Sequence, residues 1–159
     1  MPAAPLAHPG VRFPPPLLFV AAALAGVLLH RRWPLPILDG GRTTAALVLG
    51  WALVAGGLAL IAWGIATFVR AQTKVFPNQP ASRIVDNGPF RFTRNPMYVG
   101  FTAAYLGGAL LANTFWLPLL LPFVLFALYS LVIQREERYL ASAFGAEYDA
   151  YRARVRRWL

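Results

Sequence analysis

The sequence contains no cysteine and only two histidines among its 159 residues. A chain without cysteine has no disulfide, no thiolate metal ligand and no thiol nucleophile. His8 and His30 lie far apart in the sequence and have no carboxylate beside them, which argues against a metal centre. The composition therefore predicts a protein that binds no metal.

Charged residues are also scarce, at 13% of the chain, whereas 58% of the residues are hydrophobic. A soluble domain of this size cannot bury so much apolar surface, so a lipid bilayer is the expected solvent. The net charge is +9, and the basic residues gather at the ends of apolar runs. This placement favours membrane phospholipid over nucleic acid as the partner of the positive charge.

Two further signals are missing from the sequence. The Pro-rich opening segment MPAAPLAHPGVRFPPP is followed by an apolar run without a clear small-residue cleavage site. We therefore expect an uncleaved lead-in and not a signal peptide. There is also no strand pattern followed by a Gly-rich turn and an acidic residue, which a Rossmann-type nucleotide site would need.

Four apolar segments approach the length of about 20 residues that a transmembrane helix requires. They cover residues 15–31, 44–69, 97–111 and 115–133. A polar connector occupies residues 70–96, and residues 134–159 are polar but keep a helical apolar period with a bend expected at Gly145. We predict one all-α integral membrane domain over residues 1–159, with about four transmembrane helices and a cytoplasmic C-terminal helical extension.

The distribution of Lys and Arg predicts the orientation in the membrane. Five of these residues lie in the connector and six follow residue 133, whereas the turn at 112–114 has none. By the positive-inside rule, the connector and the tail face the cytoplasm, in an inner membrane of bacterial type. The first loop then lies outside with Arg31, Arg32 and Arg42, which is contrary to the rule.

The segment GPFRFTRNPMYVG, residues 88–100, leads from the connector into the third apolar run. A residue before proline is pushed out of the α region, so Gly88-Pro89 and Asn95-Pro96 are both expected to turn or extend. Pro96 suits the first turn of the third helix, with Asn95 as its N-cap.

Two cations lie in this segment, Arg91 and Arg94. Together with the positive end of the helix dipole, they predict an anion-binding corner suited to a carboxylate or a phosphate. The alternative is an ordinary capped helix whose arginines reach the membrane interface.

A second charged group, Arg135-Glu136-Glu137-Arg138, follows the fourth apolar run. Adjacent residues point about 100° apart on a helix, so one Glu can form a salt bridge while the other faces a site. Carboxylates at the end of a membrane span are candidates for function, although a salt-bridged helix exit explains them equally well.

The short turn at 112–114 makes the third and fourth helices antiparallel neighbours. Residues 94–98 and 134–138 are therefore expected to come close together at one face of the membrane. An Arg-rich corner opposite a Glu pair can hold a zwitterion at both ends. S-adenosylmethionine is such a ligand, because it carries a carboxylate, an ammonium and a sulfonium.

Several of these residues together resemble the integral-membrane methyltransferases, a group that includes isoprenylcysteine carboxyl methyltransferases and phospholipid N-methyltransferases. The resemblance covers residues 70–157. The matching motifs are Gly88-Pro89-Phe90, Arg94-Asn95-Pro96-Met97-Tyr98, Glu136-Glu137, Leu140 and Phe144-Gly145-x-x-Tyr148. The family pattern often has His where this chain has Asn95, which cannot titrate near neutrality but can still position a cofactor.

The resemblance implies binding of S-adenosylmethionine, with S-adenosylhomocysteine as product, and entry of a lipid or lipidated acceptor from the bilayer. The implied cofactor-binding residues are Gly88, Pro89, Arg94, Asn95, Pro96, Tyr98, Glu136 and Glu137. The candidate catalytic residues are Glu137, Arg94 and Arg138. An amine acceptor would use a Glu as base, whereas a carboxylate acceptor would need an Arg clamp, from Arg138 or Arg91. The sequence leaves this choice open.

Two other interpretations of the sequence are a small scaffold or accessory subunit and a small transporter. A scaffold would use the basic corner for anionic lipid headgroups, but it has no need of the Glu pair. A transporter would be expected to carry an ionisable residue near the midplane of its spans, and the four apolar segments carry none there.

Overall fold

The computed structural model describes residues 10–11, 14–73 and 81–159, and these are all-helical with irregular connections. The five helices of this part of the chain are α1 (Pro16–Arg32), α2 (Thr44–Arg70), α3 (Pro96–Ala112), α4 (Trp116–Phe144) and α5 (Ala146–Arg154). A short 3₁₀ helix spans Gly88–Arg91. Most of the lead-in and Lys74 of the connector lie outside the described residues.

Helices α2 and α4 have 27 and 29 residues and are long and apolar enough to cross a membrane. Helices α1 and α3 have 17 residues each. At 1.5 Å per residue they are about 26 Å long, slightly shorter than a hydrocarbon core of about 30 Å. Each predicted apolar segment thus forms a helix, and two of the described helices meet the length that spanning requires.

The α2–α3 contact is built on glycines. Gly50, Gly57 and Gly64 recur every seven residues, so they share one face of α2 and are all buried. On α3, Gly100 and Gly107 face them. A Cβ atom on Gly57 would collide with the carbonyl oxygen of Gly100, and one on Gly107 would lie 2.6 Å from the carbonyl oxygen of Gly50. The two backbones therefore touch, as in other small-residue interfaces between membrane helices.

The α3–α4 hairpin is as tight as the sequence predicts. Asn113 ends α3 in the left-handed conformation with φ 51°, which Asn adopts more readily than most residues. Its side chain accepts hydrogen bonds from the amides of Ile37 and Leu38 and donates one to the carbonyl oxygen of Leu38. The turn is thereby fixed to the α1–α2 loop, and α1 packs on α4 through the core that contains Phe19 and Leu128.

Helix α4 ends at Phe144 because Gly145 takes φ +51°, a conformation that favours glycine. The chain then turns back into α5. Tyr148, Tyr151 and Val155 are buried, and they pack on Ile84 of the connector and on Leu140, Ala141 and Phe144. The apolar face of the tail therefore covers the connector and the end of α4, which positions the site described next.

Candidate functional site

The two charged motifs meet at the N-terminus of α3. The guanidinium of Arg94 lies with Nη1 3.2 Å from Oε1 of Glu137 on α4. The side chains are 13% and 21% exposed, so this ion pair is partly shielded from water. The proximity predicted from the short hairpin is confirmed.

The two glutamates face different partners. The hydroxyl of Tyr98 donates to the Glu136 carboxylate, with distances of 3.1 and 3.4 Å to its two oxygens. Glu137 instead pairs with arginines, which agrees with the expected 100° separation. A π-helical turn at Tyr129–Ile133 comes just before the pair. Such turns often occur at functional sites and change the direction in which the following side chains point.

The segment that follows α5 supplies contacts that the sequence analysis did not find. The backbone N–H of Arg94 donates to the carbonyl oxygen of Arg156 at 2.9 Å. The carbonyl oxygen of Arg157 accepts from Oγ1 of Thr93 at 3.1 Å and from Nδ2 of Asn95 at 2.9 Å. Asn95 is 9% exposed and stands at the N-cap position, but its side chain makes no cap hydrogen bond to α3. The predicted N-cap position of Asn95 is therefore confirmed, but its side chain binds the segment after α5 and does not cap the helix.

The Arg157 side chain also binds Glu137. Its Nε and Nη2 donate to Oε1 and Oε2 of Glu137, both at 2.8 Å, in a bidentate pair. This hydrogen bonding raises the pKa of Arg157 above its usual value. The guanidinium carbon lies 5.1 Å from the ring centroid of Tyr129, in the π-helical turn.

Helix α5 contacts the site through two tyrosines, Tyr148 and Tyr151. Nη1 of Arg94 donates to the hydroxyl oxygen of Tyr148 at 3.2 Å. Burial, and then the charge of Glu137, raises the pKa of Tyr148, which keeps the hydroxyl neutral. Tyr151 donates to the carbonyl oxygen of Phe90 at 2.8 Å and thereby ties the 3₁₀ turn to α5.

We call the group of side chains described above the Arg–Glu cluster; its members are Arg94, Tyr98, Glu136, Glu137 and Arg157. Other predicted site residues lie away from this cluster. Gly88, with φ +56°, packs against Thr67 of α2 and lines two cavities of about 400 and 440 Å³, neither of which is lined by Arg94, Tyr98 or the Glu pair. Pro89 is buried in the same turn. The cofactor role of these two residues stays a prediction.

Arg91 and Arg138 also point elsewhere. Arg91 is exposed, lies over the ring of Phe92 and lines one cavity together with Arg154. Arg94 does not line that cavity, and the anion-binding corner predicted for the two arginines stays a prediction. Arg138 is exposed and donates to the carbonyl oxygen of Gln134 on its own helix. Its catalytic role stays a prediction.

Two groups of the cluster are suited to S-adenosylmethionine. Nε of Arg94 is buried and has no hydrogen-bond partner among the described residues. A buried donor of this kind is costly unless something accepts from it, and a ligand carboxylate is a strong acceptor. Glu136 accepts from Tyr98, and the lone pairs left on its carboxylate can receive an ammonium or a hydroxyl. The cluster can therefore hold both ends of the cofactor's amino-acid moiety. No group of His, Asp and Glu able to hold a metal ion occurs in the described ranges.

Two of the described helices are long and apolar enough to cross a membrane, and Arg94, just before α3, pairs with Glu137 near the end of α4. These features indicate an integral membrane protein. The profile of the phospholipid methyltransferase family matches residues 45–147, which is more than half of the chain. The chain therefore belongs to this family of S-adenosylmethionine-dependent membrane methyltransferases. The resemblance predicted from the motifs is confirmed.

Two relatives show local similarity. A protein-S-isoprenylcysteine O-methyltransferase of Schizosaccharomyces pombe is 40% identical over 72 residues, which are 45% of this chain and 30% of that enzyme. An uncharacterized protein of Haemophilus influenzae is 47% identical over 55 residues, covering 31% of this chain and 87% of the relative. The chain thus aligns with less than a third of the fission-yeast enzyme. No solved structure matches the chain significantly.

Proposed function

We propose that this protein transfers a methyl group from S-adenosylmethionine to a lipid-like or membrane-embedded acceptor that carries a carboxylate or an amine. The observation that carries the proposal is the convergence of Arg94 and Tyr98 with Glu137 and Glu136, from two motifs on different helices of a methyltransferase-family chain. A headgroup-binding scaffold would need the arginine but not the two carboxylates.

Each side chain of the cluster has a role that its contacts support. Arg94, with its buried Nε and with Asn95 beside it, binds the carboxylate of the cofactor. Glu136, oriented by Tyr98, receives the cofactor's ammonium or a ribose hydroxyl. Both oxygens of Glu137 are bound by arginines, so this residue fixes the direction of Arg94. We therefore assign the cofactor's cation to Glu136 and not to Glu137.

Methyl transfer requires the protein mainly to align the reactants and to exclude water. The cofactor supplies its methyl group on a sulfonium, and transfer forms a bond from the methyl carbon to oxygen or nitrogen while the carbon–sulfur bond breaks. Alignment of this kind contributes roughly 7–11 kcal/mol to rate enhancement. An acceptor amine must also lose a proton, for which Glu136 is the better candidate base, because the Glu137 carboxylate is already paired with two cations.

The site lies where the helices end, and we place it at a membrane surface. All four apolar helices cross the bilayer in this arrangement, with α1 and α3 accommodated by their flanking polar residues. The connector and the tail, which are rich in arginine, face the cytoplasm across a bacterial-type inner membrane. The acceptor then reaches the site sideways from the bilayer.

The test measures binding before turnover, because the acceptor is unidentified. The purified protein in detergent is titrated with S-adenosylhomocysteine and followed by calorimetry and by thermal stabilisation. We expect saturable binding by the wild type, and loss of binding with Arg94→Ala, since a hydrogen bond to a charged group is worth about 1.5–3 kcal/mol, or about 10- to 150-fold.

Exposed Arg152 gives the control, because Arg152→Ala removes the same charge outside the cluster. No binding by the folded wild type would refute the proposal and favour the scaffold interpretation. Undiminished affinity in folded Arg94→Ala would refute the site assignment alone. A membrane extract supplied with cofactor labelled in its methyl group would then identify the acceptor as the lipid that gains the label.

A further inference from the structure

The segment after α5, residues 155–159, crosses the N-terminus of α3. Val155 is buried against Tyr148 and Tyr151 of α5, and Trp158 packs against the main hydrophobic core. Between these two anchors, the carbonyl oxygens of Arg156 and Arg157 accept three hydrogen bonds from residues 93–95. The Arg157 side chain is therefore held at a fixed place relative to Glu137. This segment lies outside residues 45–147, where the family profile matches.

The two arginines bind Glu137 unequally. Arg157 engages both carboxylate oxygens at 2.8 Å, whereas Arg94 reaches one of them at 3.2 Å. A bidentate pair has the better geometry and the stronger hydrogen bonds. Arg157 thus binds both oxygens of Glu137, and Arg94 keeps a buried Nε without a partner in the described part of the chain.

We propose that Arg157 is a positioning residue of the cofactor site, which acts by occupying Glu137 so that Arg94 stays available for a carboxylate. The proposal rests on the proposed function. In the absence of Arg157, Glu137 would keep a single cation, Arg94, and the two would close into a bidentate pair of their own. Glu137 would then compete with the carboxylate of the ligand for the Arg94 guanidinium.

The chain offers a matched control in the neighbouring residue. Arg156 is exposed, and its contribution to the site is a backbone carbonyl, which a substitution keeps. Arg157→Gln and Arg156→Gln therefore remove the same charge from the same segment. We expect Arg157→Gln to weaken binding of S-adenosylhomocysteine about tenfold and Arg156→Gln to leave the affinity unchanged. Arg157→Lys, which keeps the charge but not the bidentate fork, should give an intermediate affinity.

A double-mutant cycle separates this role from a structural one. If Arg157 acts through Glu137, then Arg157→Gln should cost nothing further in a Glu137→Gln background. A residue that only holds the segment in place would weaken binding equally in both backgrounds and would lower the ligand-free melting temperature in step. Additive losses would overturn the proposal, as would an unchanged affinity of folded Arg157→Gln.

The same titrations distinguish this proposal from the one on which it depends. A wild type that does not bind S-adenosylhomocysteine defeats the proposed function, whereas binding that is indifferent to Arg157 defeats the positioning role alone. If Arg157→Gln does not fold, Arg157→Lys provides the decision. Wild-type affinity in that variant would contradict a role that needs the bidentate geometry.

Discussion

The α2–α3 interface and the Arg–Glu cluster share helix α3 but are held together by different forces. At the interface, Gly57 and Gly100 let two uncharged backbones touch. In the cluster, residues from α3, α4 and the segment after α5 meet through ion pairs and hydrogen bonds. The interface depends on the absence of side chains, whereas the cluster depends on their exact chemistry.

This difference separates stability from function. Loss of close packing between membrane helices has no ready substitute, because lipid does not drive the helices together again. The ion pairs of the cluster are 13–35% exposed, and partly solvated pairs contribute little to stability. Substitutions at the interface should therefore damage the fold, and substitutions in the cluster should damage ligand binding.

The largest expected effect comes from adding one methyl group to the interface. In Gly57→Ala, the new Cβ collides with the Gly100 carbonyl, which belongs to a backbone that cannot rotate away. Overpacking of this kind costs about 1–3 kcal/mol. We expect a lower melting temperature in detergent and a smaller yield of folded protein, measured by size-exclusion chromatography and thermal unfolding.

The control is the adjacent residue on the same helix. Gly56 is exposed, and a Cβ there meets nothing within 4 Å. Gly56→Ala should be neutral or stabilising by up to about 1 kcal/mol, through helix propensity. Equal destabilisation by the two substitutions would show that an alanine at either position of α2 lowers the stability. The close contact between Gly57 and Gly100 would then not be the cause.

Much of the fold could be predicted from the sequence, because it follows from local patterns. Apolar runs predict the helices, and Gly145 predicts the bend before α5. The meeting of Arg94 with the Glu pair could also be predicted, since a three-residue turn leaves two helices little choice of arrangement.

The role of the last segment could not be predicted in this way. Its hydrogen bonds to residues 93–95 come from the carbonyl oxygens of Arg156 and Arg157, and every residue type carries a carbonyl oxygen. The sequence therefore holds no signal for them. The contact made by the Asn95 side chain could not be predicted either, because asparagine is a good N-cap and also a good amide donor. Asn95 lies at the predicted N-cap position, but its side chain donates to the Arg157 carbonyl and makes no cap hydrogen bond.

A smaller effect is expected when the cluster loses a hydroxyl. Tyr98→Phe removes the hydrogen bond to Glu136, so the carboxylate loses its orientation. We expect the affinity for S-adenosylhomocysteine to fall by about tenfold, the lower end of what a charged hydrogen bond contributes. The melting temperature without ligand should change little.

Tyr105 is the matched control, seven residues further along α3. Its hydroxyl is buried without a hydrogen-bond partner in the described ranges. Tyr105→Phe should leave the affinity unchanged and raise the stability slightly, because an unsatisfied polar group is removed. If both substitutions weakened binding alike, loss of a hydroxyl anywhere on α3 would explain the result, and Glu136 would lose its assigned role.

The smallest effect is expected at Asn95, and it tests how far the cluster depends on neutral contacts. Asn95→Ala removes the amide that donates to the Arg157 carbonyl, while Thr93 and the backbone of Arg94 still hold the segment. A neutral hydrogen bond contributes about 1 kcal/mol, so binding should weaken by about fivefold, less than with Tyr98→Phe or Arg94→Ala. The two affinities, measured side by side by calorimetry, decide the point. Equal losses would mean that Asn95 contacts the cofactor directly, and charge would then no longer be what distinguishes the cluster from the glycine interface.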